Sequence, residues 1–151
     1  MMNIEEFIEK LNQLKNEKPI LFGLDSDAAV NDDLIATYEE YYGITFPGSY
    51  KAMLRTIGGG YMGYTVMYSL DESGSFNIKK YVAPEMVSSM KMLPIIDLEN
   101  GDLLGFNVSD SVCSDEVYCF NHDDGLKRKV YDDLFDALIE IGFKNALSGL
   151  E

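Results

Sequence analysis

A chain of 151 residues, 46% hydrophobic and 12% aromatic, is long and apolar enough to fold as one domain and too apolar to be disordered. It carries 26 Asp and Glu against 12 Lys and Arg, a formal net charge of −14. That balance excludes direct binding to a DNA or RNA backbone and disfavours anionic membranes, because both are held by clustered cations; a basic partner is compatible with it.

The N-terminal Met1-Met2-Asn3-Ile4-Glu5-Glu6 lacks the basic and apolar regions of a signal peptide, and no run reaches the length of a membrane span. Cys113 and Cys119 are too few for a disulfide framework, so the expected setting is the cytoplasm with both thiols reduced.

Ile4, Phe7, Ile8, Leu11 and Leu14 recur at helical spacing and predict a first helix that ends near Pro19. Asn31 is a natural N-cap for a second helix, with Asp32 and Asp33 in its first turn and Leu34, Ile35, Tyr38 and Tyr42 on its apolar stripe. Gly43 stops it. A third helix opens at Phe46-Pro47-Gly48-Ser49, buries Tyr50, Met53, Leu54 and Ile57, and ends at Gly58-Gly59-Gly60.

Beyond the glycines the apolar period changes from 3.6 to 2. Met62, Tyr64, Val66, Tyr68 and Leu70 alternate as one strand over 61–70, and Phe76 and Ile78 suggest a partner strand across an Asp71–Ser75 turn. Residues 93–98 and 103–108 flank Asn100-Gly101, a strong hairpin signal, and 117–120 adds another strand. Asp132 or Asp133 then caps a last helix with Leu134, Phe135, Leu138, Ile139 and Ile141 inside. The expected architecture is α+β, a single domain over 1–151 with helices packed on one face of a mostly antiparallel sheet.

Each motif with a chemical precedent fails on context. Gly58-Gly59-Gly60-Tyr61-Met62-Gly63 matches G-x-G-x-x-G, but it follows a helix and opens a strand, the reverse of a dinucleotide loop. Asp25-Ser26-Asp27 after an apolar run resembles the nucleophile loop of haloacid-dehalogenase phosphatases, yet the chain is short and turns antiparallel; turn carboxylates are the better reading. Asp97–Asp102 lacks calcium-loop spacing, and Cys113, Cys119 and His122 do not make a closed zinc site. His122, the only histidine, reads as an ordinary exposed one. The expectation is a protein without catalytic, cofactor or metal site.

The acidic excess is concentrated. Residues 19–50 hold Asp25, Asp27, Asp32, Asp33, Glu39 and Glu40 with no Lys or Arg. Residues 92–126 hold Asp97, Glu99, Asp102, Asp110, Asp115, Glu116, Asp123 and Asp124, again with no Lys or Arg. Much of the second group falls on turns and strand ends, where it offers a candidate face for a cationic partner. Lys127-Arg128-Lys129 is read as a local counterweight to Asp123, Asp124, Asp132 and Asp133. Ten tyrosines, Tyr61 and Tyr64 among them, supply the residue type enriched in interface cores.

Three stretches resemble the SUKH superfamily. Tyr41-Tyr42-Gly43-Ile44-Thr45-Phe46-Pro47-Gly48-Ser49-Tyr50-Lys51 is similar to its helix–turn–helix signature, which runs into a Gly-Gly turn, here Gly59-Gly60. Leu93-Pro94-Ile95 with Gly101-Asp102-Leu103-Leu104-Gly105-Phe106 is similar to its paired central strands. Val117-Tyr118-Cys119-Phe120-Asn121-His122-Asp123 is similar to a further strand, before the Leu134–Leu138 helix. Phe46 stands where Leu is usual, Gly58 where Asn is frequent, and no Trp accompanies the His122 strand.

The resemblance implies an α+β domain without catalysis. In bacteria it implies a cytoplasmic immunity protein that neutralises a toxin domain, often a nuclease, whose phosphate-binding face is basic. The partner-binding residues expected on this reading are Asp97, Glu99, Asp102, Asp110, Asp115, Glu116, Asp123, Asp124, Tyr61 and Tyr64. The alternatives are a regulatory adaptor and a small enzyme using Asp25 and Asp27.

Overall fold

The computed structural model describes residues 3–17, 26–63 and 65–143. Helix α1 (Ile4–Glu17) buries Phe7, Leu11 and Leu14, three positions of the expected stripe. Its predicted end near Pro19 lies outside the described residues, as do the apolar run 20–24 and Asp25. Strand β1 (Ser26–Asp27) precedes α2 (Asp32–Tyr42), where the Asn31 side chain accepts the Leu34 N–H as N-cap. Gly43 closes α2 in the left-handed conformation at φ 67°, which a residue without a Cβ adopts at little cost. Helix α3 (Gly48–Thr56) buries Tyr50, Met53 and Leu54.

The first β segment departs from expectation. It is not one strand over 61–70 but a tight hairpin, β2 (Gly59–Met62) and β3 (Thr65–Met67). Phe76 and Ile78 form no partner strand. Ser69 and Asn77 make a single parallel bridge, and Ile78–Lys80 is a 3-10 turn capped by the Asn77 side chain. Alternating burial predicts a strand only if the backbone continues, and the glycine-containing turn after Met62 reverses it. Gly58 shows why the triple glycine is there. Its φ is 98°, and a Cβ would stand 2.3 Å from the Asp27 carbonyl oxygen, so β1 passes too close for any side chain.

A short helix absent from the sequence reading, α4 (Pro84–Met90), leads into β4 (Met92–Asp97). Strands β5 (Leu103–Ser109), β6 (Val112–Phe120) and β7 (Lys127–Tyr131) follow, then α5 (Leu134–Ala137) and a π-helical turn (Leu138–Phe143). Asp133, the second of the two expected caps, accepts the Asp136 N–H. Among the described residues, all seven strands lie in one antiparallel sheet in strict chain order, β1 to β7.

Register divides the sheet into two faces. Met67, Ile96, Leu104 and Cys119 pair across it, as do Leu93, Phe106 and Val117, and both rows face the helices. Tyr50 of α3 packs on Phe106 at 5.9 Å between ring centroids and donates its hydroxyl to the Tyr68 carbonyl at 2.8 Å. Phe7 of α1 meets Phe135 of α5 at 5.3 Å, so α1 and α5 close over the same core. The fold is α+β, with the helices against one face of the sheet.

The candidate partner-binding surface

The loops β4–β5 (98–102) and β6–β7 (121–126) leave the sheet at the same end, because Leu103 pairs with Phe120 and Phe120 with Lys127. The β4–β5 hairpin exists as expected around Asn100-Gly101, with Asp97 paired to Leu103, so five residues form its loop where the expected strand bounds left four. Asx turns shape it: Asp97 accepts the Glu99 N–H and Asn100 accepts the Asp102 N–H. Glu99 and Gly101 have φ of 61° and 98°.

His122 ties the two loops together. Asp102 Oδ1 accepts the His122 backbone N–H at 3.0 Å and faces ring Nδ1 at 2.7 Å. The other ring nitrogen, Nε2, lies 3.1 Å from Asp123 Oδ1. With a carboxylate on each nitrogen the doubly protonated ring is favoured. The Asp102 hydrogen bond raises the His122 pKa above its ordinary value, and the same bond lowers that of Asp102. The histidine expected to be an ordinary exposed one is exposed, but it is a cross-link between hairpins.

The eight expected carboxylates therefore separate. Asp97, Glu99, Asp102, Asp123 and Asp124 collect at the His122 end of the sheet, opposed by His122 and by Arg128, which reaches Asp124 at 3.4 Å. Asp110 sits at the opposite end, in the β5–β6 turn with φ 51°. Glu116 is mid-strand and pairs with Lys129 at 2.7 Å; Lys129 also holds Asp132 at 2.8 Å. Asp115 points to the helix side, into a groove between α1, α3 and α5. One surface for all eight is not what the fold builds.

Of the basic triplet, Arg128 and Lys129 act as the expected counterweight, whereas Lys127 donates to the Lys91 carbonyl at 2.7 Å and to Asn107 Oδ1 at 2.5 Å. Partial burial lowers its pKa. Lys127 pins the end of β7 to the β4 and β5 side of the sheet.

Tyr61 belongs to the row Tyr61, Val66, Asp97, Leu103, Phe120 and Lys127, which crosses six strands on the face away from Phe106. Every member except Val66 is half-buried, so this row gives the acidic end an apolar shoulder. Tyr61 also packs edge-on against Phe76 at 5.5 Å. Tyr64 lies outside the described residues. Tyr38, Tyr42, Tyr50 and Tyr68 are buried, and three of their hydroxyls bond inside the core: Tyr42 donates to the Val82 carbonyl, Tyr50 to that of Tyr68, and Tyr38 accepts from Asn77.

Asp27 is buried and accepts the Ser69 hydroxyl at 2.5 Å and the Phe76 N–H at 2.9 Å. Its neighbour Asp71 accepts the N–H of Ala28 at 2.8 Å, a bond that lowers the Asp71 pKa. Asp27 and Asp71 fasten β1 to the loop after β3, whereas Asp25, the other carboxylate of the Asp25-Ser26-Asp27 reading, lies outside the described residues. Cys113 is buried, which pushes its thiol up to about 12.

A family model described as SMI1-KNR4 cell-wall, SUKH_6, matches residues 32–138, from the first residue of α2 to the residue after α5. The chain belongs to the SUKH family. The stretches that carry the resemblance occupy the α2–α3 junction, the β4–β5 hairpin and β6 of this SUKH domain. Helix α1 precedes the matched residues yet closes the core through Phe7. No curated protein matches the chain. Among the described residues, no helix is long and apolar enough to cross a membrane.

Proposed function

We propose that this SUKH domain is a bacterial, cytoplasmic, non-catalytic immunity protein that binds and neutralises a basic toxin domain, a nuclease in the leading case. The observation that carries the reading is the gathering at one end of the sheet of Asp97, the last residue of β4, with Glu99, Asp102, Asp123 and Asp124 on the two hairpin loops that His122 joins. Such a surface matches the cationic face that a nuclease offers to phosphates, and its field accelerates encounter. The half-buried row from Tyr61 to Phe120 adjoins it and supplies the apolar contact that charge alone does not.

The experiment pairs the protein with the product of the adjacent reading frame. Co-expression is expected to rescue growth, and one-to-one binding is expected to slow steeply as salt rises. Glu99→Lys with Asp123→Lys should cut the association rate about tenfold or more, while Asp110→Lys at the other end should leave it within about twofold. Equal effects at both ends would reduce the surface to bulk charge. Absence of binding to any toxic neighbour favours the adaptor reading, for which a pull-down from the source cell is the assay.

A further inference from the structure

The single histidine sits where the two acidic hairpin loops meet, and both loops build its seat. Gly101 of the β4–β5 loop lies against the ring, since a Cβ there would stand 2.8 Å from His122 Nδ1. Asp102 Oδ1 engages both the His122 backbone N–H at 3.0 Å and ring Nδ1 at 2.7 Å, so on this side the residue is fixed at two points. On the other side Nε2 faces Asp123 Oδ1 at 3.1 Å, and that carboxylate is 82% exposed against 19% for Asp102.

The two carboxylates therefore respond differently when the ring loses a proton. A neutral imidazole keeps one N–H. Asp102, the shorter and better-held acceptor, retains it at Nδ1, and the Nε2 lone pair is left facing the Asp123 oxygen, a contact between two acceptors. The charge-assisted strength of the Asp102 link is lost but an N–H bond remains there, whereas Asp123 loses its donor altogether. Among the described residues, Asp102 and Asp123 are the charged groups that face the ring. Asp124 is engaged with Arg128 at 3.4 Å, and the Cys119 thiol, whose pKa is raised by burial and then by Asp102, does not ionise in the same range.

We propose that His122 is a proton-controlled gate on Asp123: the protonated ring occupies this carboxylate, and the neutral ring yields it to a cationic side chain of the protein partner. The inference rests on the reading of this chain as a module for a basic partner and adds how that surface is regulated. Linkage fixes the sign. A partner cation at Asp123 repels the imidazolium, so binding expels the ring proton. Affinity then rises with pH through the titration of His122 and levels off above it. The Asp102 hydrogen bond first, and Asp123 second, move this transition up from the ordinary histidine range.

The test uses the intact protein with isotope-labelled imidazole nitrogens, and tetralysine at low salt as the cationic probe. Without the probe, the nitrogen chemical shifts should report a neutral ring protonated at Nδ1. Tetralysine should bind about fivefold tighter about one pH unit above the His122 midpoint than the same interval below it, and saturating probe should lower that midpoint by about half a unit or more. Asp123→Asn, at an exposed loop position, should keep the Nδ1 tautomer and reduce the pH dependence to about twofold or less. His122→Gln should make the affinity independent of pH across the same range. A neutral ring protonated at Nε2, absence of saturable binding, equal affinity on both sides of the midpoint, or an undiminished pH dependence in Asp123→Asn overturns the proposal. A protein that neutralises its toxin while tetralysine binding ignores pH defeats this inference alone. A pH-gated surface on a protein without any toxin partner defeats the immunity reading alone.

Discussion

Two groups of carboxylates in this molecule have opposite fates. Asp27 is buried and Asp71 half-buried at the β1 edge, where their oxygens accept from Ser69, Phe76, Ala28 and Ser73. Glu99, Asp123 and Asp124 stand exposed on hairpin loops, with sparse cations around them. The residue types are the same, and the neighbours decide. A carboxylate surrounded by backbone N–H groups becomes part of the scaffold, whereas one on a loop tip remains available to a partner.

The sharpest way to break this contrast is at the enclosed group. Asp27→Ala leaves the Phe76 N–H and the Ser69 hydroxyl without their acceptor and should destabilise the domain by about 2–4 kcal/mol in urea unfolding. A loss below about 0.5 kcal/mol would show that the enclosed carboxylate is as dispensable as an exposed one. Gly74→Ala tests the same packing from outside, since its Cβ would lie 2.3 Å from the Asp27 carboxyl. About 1–3 kcal/mol of destabilisation is expected, read as a lower urea midpoint at unchanged slope.

His122 lies between the two extremes, exposed yet engaged. Its raised pKa means that the Asp102 link contributes fully below the unfolded histidine value near 6.5 and is lost as pH rises through the higher folded value. The lowered Asp102 pKa gives the opposite limb: its contribution is present above the unfolded carboxyl value near 3.9 and lost as pH falls through the folded one. An NMR titration of the imidazole should therefore find a midpoint above 6.5, and Asp102→Asn should move it down. An unshifted midpoint in that variant would dissolve the link between the loops.

The smallest effect belongs to the tips. Glu99→Lys with Asp123→Lys should change stability by no more than about 0.5 kcal/mol per site in thermal or urea unfolding. A larger loss would mean that these charges are scaffold after all, and the contrast with Asp27 would collapse.

The elements with a strong local signal were legible in the sequence: α2 from Asn31 to Gly43, the β4–β5 hairpin from Asn100-Gly101, and the Asp133 cap. What escaped depends on contacts between distant segments. The alternation from Met62 to Leu70 concealed a reversal, because buried residues on both sides of a tight turn keep the same polarity pattern. The five carboxylates at one end could be suspected from their turns, but the His122–Asp102 contact requires the pairing of Leu103 with Phe120, which no local signal fixes. The groove at Asp115 was invisible for the same reason: Ile4, Ser49, Asp115 and Phe135 come from four parts of the chain.

The strict chain order of the strands has a consequence in time. Each strand pairs with the next one made, so the sheet can grow as the chain leaves the ribosome without waiting for a distant partner. Phe7 is the exception. It can settle beside α3 early, but its ring partner Phe135 is made well over a hundred residues after it. During that interval an apolar helix face is exposed in the nascent chain, and any holding factor that recognises this protein would find its target there.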